Sequence, residues 1–166
     1  EGVLMQYYRY ILRLFCALLL LVGVSACSGD DCPINNTVQG KMAFYDEYGE
    51  AIAYTGVLSV YVVRPQGDSV VLNMKTDASE VLFPLSYIHE TDTLIFDYNN
   101  AGVYDSLFIS HENLPTLVSV NCGAAMFHSL TSVSSTHHLI DTLILKSSAV
   151  NYDERENIQV IYHIRD

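Results

Sequence analysis

The chain has 166 residues, 50% hydrophobic and 16% charged, with 19 Asp and Glu against 8 Lys and Arg. A net charge of −11 repels phosphate backbones and anionic lipid alike, so no nucleic-acid partner is expected and surface charge cannot supply membrane attachment. The length suits one domain around one core, and no internal repeat, Gly/Ser linker or low-complexity tract divides it.

Arg9 and Arg13 are the only charges between Gly2 and Asp30, and an apolar run from Leu14 to Val24 follows them. A positive segment before a short apolar one is the pattern of a secretory signal. The uncharged stretch Leu14–Gly29 falls short of the roughly 20 apolar residues that a comfortable membrane span wants. Val24-Ser25-Ala26-Cys27 resembles a bacterial lipobox: a branched apolar residue, two small ones, then Cys. The small residues let an extended chain enter a narrow peptidase groove, and the thiol is a soft nucleophile at the cut. The resemblance implies a diacylglyceryl thioether on Cys27, cleavage before it and acylation of the new amine. The alternative is an ordinary signal peptide, or an uncleaved anchor, with a chance Cys. Ser28, Gly29, Asp30 and Asp31 follow. They resemble the acidic export signal of Bacteroidota surface lipoproteins, which implies the outer leaflet of the outer membrane; a solvated acidic tether reads equally well. The expected address is the outer membrane, lipid-anchored, on its periplasmic or surface leaflet. Residue 1 is Glu, and Met5, four residues before Arg9, is expected as the true start. Residues 1–26 are thus read as signal peptide, 27–37 as lipidated Cys and tether, and 38–166 as the folded domain. Without residues 1–26 the chain keeps 140 residues, with six Lys and Arg against eighteen Asp and Glu.

From Val38 onward the hydrophobic period is two. Leu58, Val60 and Val62 alternate with Ser59, Tyr61 and Val63; Arg64-Pro65-Gln66-Gly67-Asp68 breaks the run, and Ser69 to Met74 resumes it as the return of a hairpin. Val81-Leu82-Phe83 precedes Pro84, whose missing N–H suits a sheet edge or strand end. Leu94, Phe96 and Tyr98 alternate with Thr93, Ile95 and Asp97; Asn99 to Gly102 reads as a turn and Val103 to Ser110 as the next strand. His111 to Pro115 is expected to be a connection, Thr116 to Cys122 and Ala124 to Leu130 strands, and the Ser/Thr-rich stretch Thr131 to His138 a loop. Leu139 to Leu145 and Asn157 to Ile164 complete the set around a polar loop, Ser147 to Glu156. About nine strands without a convincing amphipathic helix predict an all-β fold: an antiparallel β-sandwich, immunoglobulin-like or transthyretin-like, with a small β-barrel as the alternative.

Of four cysteines, Cys16 would leave with the signal and Cys27 would carry lipid. Cys32 and Cys122 remain, one pair in an oxidising compartment. Alternation with Val118 and Val120 places Cys122 on an inward strand face, so a disulfide from Cys32 to Cys122 is expected to fasten the start of the domain to its middle. Two buried free thiols, or a metal pair, are the other readings; without a CxxC, zinc is disfavoured.

Asp31-Cys32-Pro33, Asp92-Thr93-Leu94, Asn121-Cys122-Gly123 and the closing run Glu156 to Tyr162 together resemble an uncharacterised family of small Bacteroidota lipoproteins with a lipobox and two mature-chain cysteines. That resemblance implies lineage and address, with no activity attached. Members look like companions of outer-membrane barrel proteins.

No chemistry of catalysis stands out. There is no Gly-x-Ser-x-Gly elbow, and no enzyme, cofactor or metal is expected. The adjacent pair His137-His138 would face opposite sides of a strand. A metal site assembled from these with His111 and His128 is a minor reading beside loop or surface histidines. Asp97 to Gly102 echoes the opening of a calcium loop but lacks the closing Glu, which leaves a hairpin turn. Asn35-Asn36-Thr37 matches an N-glycosylation acceptor, a pattern of little meaning in a bacterium. Four Asp-Ser/Thr-apolar triplets, with acceptors Ser69, Thr93, Ser106 and Thr142, resemble the Bacteroidota O-glycosylation motif; Asp closing a turn and Ser/Thr opening a pleat would give the same triplet. Exposed Trp, the usual sugar platform, is missing from the sequence. The expected role is a non-enzymatic accessory or interaction module, anchored through lipid on Cys27 and held beside an envelope partner such as an outer-membrane barrel protein. The alternative is a surface ligand-binding or adhesive module for glycans or host proteins.

Overall fold

The computed structural model describes residues 5–9, 11–14, 32, 37–98 and 102–163. Two units result, residues 1–32 and residues 33–166. In the first, residues 5–9 and 11–14 are helical, and among the described residues no helix is long and apolar enough to cross a membrane.

The second unit is a sandwich of two sheets that do not close into a barrel. Its strands are β1 (Gln39–Tyr45), β2 (Tyr54–Val62), β3 (Ser69–Ala78), β4 (Glu80–Pro84), β5 (Thr91–Tyr98), β6 (Val103–Ser119), β7 (Gly123–Ser135), β8 (Ile140–Leu145), β9 (Ala149–Val150) and β10 (Glu156–Tyr162). One sheet runs β4-β1-β10-β8 and the other β3-β2-β5-β6-β7-β9. All neighbours pair antiparallel except β1 and β10, which run parallel, Met42 opposite Ile158 and Phe44 opposite Val160.

Period-two alternation sets the core. Met42 and Phe44 from β1, Leu58, Val60 and Val62 from β2, Leu94 and Phe96 from β5, and Ile158 and Val160 from β10 are fully buried. Phe44 meets Tyr162 edge-on at 5.3 Å, and Tyr162 lies 5.6 Å from Tyr54 and 6.1 Å from Tyr98. Burial raises the Tyr98 and Tyr162 hydroxyls well above the usual phenol value, so both stay neutral. Gly40 pairs with Phe83, whose ring covers it: a Cβ on Gly40 would stand 2.3 Å from the ring. Edge strand β3 is irregular, with Met74 and Asp77 at positive φ and the Met74 amide diverted to the Ser59 hydroxyl at 3.0 Å. Such bulged geometry discourages edge-to-edge pairing.

The β2–β3 hairpin, the edge position of Pro84 in β4 and the inward rows of β5 and β10 follow the sequence reading. Three expectations need correction. His111 to Pro115 is not a connection, because β6 runs unbroken through it to Ser119, every residue from His111 to Leu117 paired to β7. The stretch from Thr131 is not all loop, because β7 continues to Ser135; its Ser and Thr alternate on a strand whose partner is already fixed by register. The Ser147–Glu156 loop contains β9, which adds to β7 at His128 and Ser129. Beyond Ser110 β6 has no β5 partner, and beyond Asn113, where β9 also ends, the β6–β7 hairpin continues as a two-stranded ribbon.

Candidate functional site

Alternation on β5 carries Asp92 onto the same inward row as Leu94, Phe96 and Tyr98. On β6 it carries Asp105, Leu107, Ile109 and His111 inward, and on β7 His128 and Leu130. The inner face of the six-stranded sheet therefore holds two buried carboxylates and two buried imidazoles among its hydrophobes. A buried polar group is costly unless partnered, so the partners identify its use.

Asp92, with no exposed side-chain surface, forms an ion pair with Arg64 through Oδ1. Its Oδ2 accepts the Ser86 amide at 2.7 Å and lies 3.0 Å from His111 Nε2. An ionised carboxylate can only accept, so His111 Nε2 is the donor in this contact. A second fixed imidazole stands beside it. Asn113 donates through Nδ2 to the His89 carbonyl at 3.3 Å, which leaves its Oδ1 to face His128 Nδ1 at 2.8 Å. His128 Nδ1 is then the donor and Nε2 the lone pair. The two rings meet edge-to-face with centres 5.1 Å apart and planes at 89°. Tyr87 stacks over His128 at 5.7 Å and 26°. His111 Nδ1 and His128 Nε2 are both buried and without a hydrogen-bond partner. Burial, then the neighbouring His111, lower the His128 pKa to about 4 against the opposing pull of Asp92, so His128 is neutral near pH 7.

Asp105 lies four register positions along the same face, opposite Phe96. Its carboxylate collects the amides of His138, Leu139 and Ile140 at 2.6, 2.8 and 3.1 Å, the Thr136 hydroxyl at 2.9 Å and the Tyr98 hydroxyl at 3.3 Å. Burial pushes its pKa upward, but the amide donors and Thr136 outweigh burial and hold it below the usual carboxylate value. This carboxylate shapes the 136–140 loop and has no capacity to spare.

The Asp92–His111 contact has the form of the orienting half of an acid–base dyad. No hydroxyl or thiol among the described residues bonds His111 Nδ1, and His111 is 2% exposed, so the arrangement offers no route for a substrate. Among the described residues no three His, Cys, Asp or Glu side chains gather as a metal site. Arg64, a quarter exposed, lies in the wall of an open cleft of about 350 Å³ with Pro84, Leu85, Tyr87 and Ile88.

Among the residues singled out in the sequence, Cys27, Ser28, Gly29, Asp30 and Asp31 lie outside the described residues. Cys32 and Cys122 are joined in a disulfide. Cys122 does not sit on an inward strand face: it occupies the turn after β6, and Val120, two residues before it, is 93% exposed. Apolar alternation continued past the point where the second sheet stops covering it. Thr93 and Ser106 share the outward face of the six-stranded sheet, Ser69 is exposed at the start of β3, and Thr142 is exposed on β8. His137, at φ 57°, places Nδ1 2.8 Å from the Asp141 carbonyl, and His138 lies exposed beside Asp105. His111 and His128 are not surface residues but buried neighbours on β6 and β7. Arg64, Asp92, Asp105 and Asn113 went unread as a group. One further step of the Leu94-Phe96-Tyr98 alternation would have reached Asp92, and one step back from Leu107 would have reached Asp105.

A family of unknown function (DUF6452) matches residues 57–163, from β2 to just past β10. The match spans 107 of the 166 residues, and the chain belongs to that family. No curated protein and no solved structure matches the chain.

Proposed function

Starting from that membership, which brings no activity with it, we propose that the protein is a lipid-anchored lipoprotein of the bacterial outer membrane. In this reading it acts as a non-enzymatic interaction module beside an envelope partner. The observation that carries it is the Cys32–Cys122 disulfide. A bridge of this kind belongs to an oxidising compartment, and Cys32 stands five residues after the lipobox Cys27. A pull on the lipid would thus pass covalently into the turn between the two longest strands. The outward face of the six-stranded sheet supports the interaction half of the proposal. Tyr104 and Phe108 on β6 are 48% and 46% exposed, and Val63 just past β2 is 41% exposed, apolar surface suited to contact. The same ring-bearing face is what favours the second reading, capture of a glycan or host protein.

Cys27→Ala should abolish incorporation of labelled fatty acid and move the protein from the membrane fraction to the soluble one. Continued labelling of the variant would defeat the lipoprotein reading. Replacing Asp30 and Asp31 by Ala should reduce cleavage by protease added to intact cells; unchanged cleavage would leave the pair as a tether. Recovery of a barrel protein cross-linked through position 108 would support the accessory role. Glycan binding by the purified protein, lost in Phe108→Ser, would support the alternative instead.

A further inference from the structure

The end of the β6–β7 ribbon departs from the rest of the chain in composition. Between Glu112 and Asp141 there is no Asp, Glu, Lys or Arg. No other uncharged run after residue 26 is as long, in a stretch where acidic side chains outnumber basic ones eighteen to six. Leu114 to Phe127 fall within it, and their ladder partners lie only in the ribbon itself. Directly opposed residues share a face. Leu114 with Phe127 therefore makes one face apolar, and Leu117 with Ala124 the other. Leu117 is 68% exposed, and Val120 at the turn 93%. A sandwich strand is apolar inward and polar outward; a ribbon apolar on both faces suits surroundings other than water. The tip also satisfies polar groups locally. The Thr116 hydroxyl donates to the Leu114 carbonyl, and the Ser119 hydroxyl accepts the Cys122 amide, both at 3.0 Å.

We propose that the tip of the β6–β7 ribbon, around Leu117 and Val120, docks into the lipid surface that holds the anchor. The proposal rests on the lipid-anchored reading above, and the disulfide selects the occupant. Five residues separate Cys27 from Cys32, a reach of about 18 Å at most. Cys32 is bonded to Cys122, in the turn at the tip. Without the bridge, the first strand residue, Gln39, is twelve residues from Cys27, a reach of about 40 Å. The bridge thus makes the ribbon tip the point from which the domain hangs. An acidic domain is repelled by anionic headgroups, and the end tied nearest to them is its one long uncharged stretch. Depth is limited by the backbone. The outer edges of a two-stranded ribbon carry unpaired N–H and C=O groups, which the hydrocarbon core does not tolerate. The tip therefore rests at the boundary of headgroups and acyl chains, about 5–10 Å deep, as interfacial elements do.

The chain contains no Trp, so Val120→Trp supplies a single reporter at a position whose side chain is outside the core. The protein, purified from the envelope, is placed in vesicles of phosphatidylethanolamine and phosphatidylglycerol, some brominated along the acyl chains. Emission of Val120→Trp should shift to the blue and be quenched by the brominated lipid, and high salt should leave both unchanged because no charge takes part. Tyr48→Trp, in the charged turn from Asp46 to Glu50, should keep aqueous emission. Adding Leu117→Asp to Val120→Trp should lower the docked-to-free ratio of the tip by roughly tenfold or more. Leu117 is itself exposed, so the fold does not depend on it. Aqueous emission from Val120→Trp on lipidated protein would overturn the proposal. So would equal quenching at positions 48 and 120. A blue shift without quenching by brominated lipid would place the tip against a second copy and overturn the lipid surface as its occupant. The mass of the same preparation reports the lipid on Cys27, so absence of that lipid counts against the lipoprotein reading, separately from the behaviour of the tip.

Discussion

Asp92 and Asp105 occupy the same inner face of the same sheet, four positions apart, and they are put to different uses. Asp105 is saturated by three successive backbone amides, a threonine and a tyrosine. Every donor but Tyr98 comes from the 136–140 segment, so the carboxylate is the loop's fastening. Asp92 is held by one amide and by two side chains, Arg64 and His111, that themselves reach further. Through His111 its influence reaches a second buried imidazole, His128, edge-to-face at 5.1 Å. A carboxylate that consumes backbone donors closes a structure. One that orients side chains links strands and loops that its own backbone does not touch.

The sharpest way to break the comparison is to neutralise each carboxylate. Asp105→Asn should cost on the order of 3–5 kcal/mol, since it replaces a buried acceptor of five donors with a group that repels some of them. The check is the denaturant midpoint, together with loss of amide-exchange protection at residues 138–140. Next in size is the disulfide. Replacing Cys32 and Cys122 by Ser frees a loop of about 90 residues and should cost roughly 2–4 kcal/mol, measured by the same denaturation. Its loss should raise exchange in the β6–β7 ribbon more than around Asp105. Asp92→Asn should cost less than Asp105→Asn, about 1.5–3 kcal/mol, because Arg64 can turn toward solvent and only one backbone amide is stranded. Equal costs at the two aspartates would remove the distinction drawn between them.

Acid separates the two ends by pH window. The His128 pKa is depressed to about 4 in the fold from an ordinary 6.5, so the unfolded chain takes up a proton that the folded one refuses. Stability should fall as pH drops from 6.5 toward 4, with a slope approaching 1.4 kcal/mol per pH unit at about one proton difference. His128→Phe should flatten this slope. Asp105 has its pKa lowered from 3.8: its contribution is fully present above 3.8 and disappears as pH falls through the lower folded value. Asp105→Asn should therefore leave the upper window intact and remove the lower one. Urea midpoints between pH 7 and 2.5 read both.

The inward rows of β2, β5 and β10 were legible because period-two alternation needs only local sequence, and each row is covered along its length by the opposite sheet. The β6–β7 hairpin was not. Pro115 and the polar run around His111 looked like a break, yet the register with β7 is set by partners that no local window contains. Cys122 failed in the opposite direction. Its alternation with Val118 and Val120 was genuine, but the ribbon there has outrun the second sheet and ends in a turn.

By itself the sequence determined the all-β class and the core alternation, and it favoured a sandwich over a barrel and Cys32 with Cys122 as a pair. Each follows from hydrophobic period, turn chemistry or counting, all of them local or compositional. Tertiary structure alone decided that β1 and β10 run parallel and that Asp92, His111, His128, Arg64 and Asn113 meet, although up to 64 residues separate them in the chain. Their contacts depend on which strands are neighbours and in what register. That pairing is a property of the whole folded chain, since each strand's own sequence is compatible with several partners.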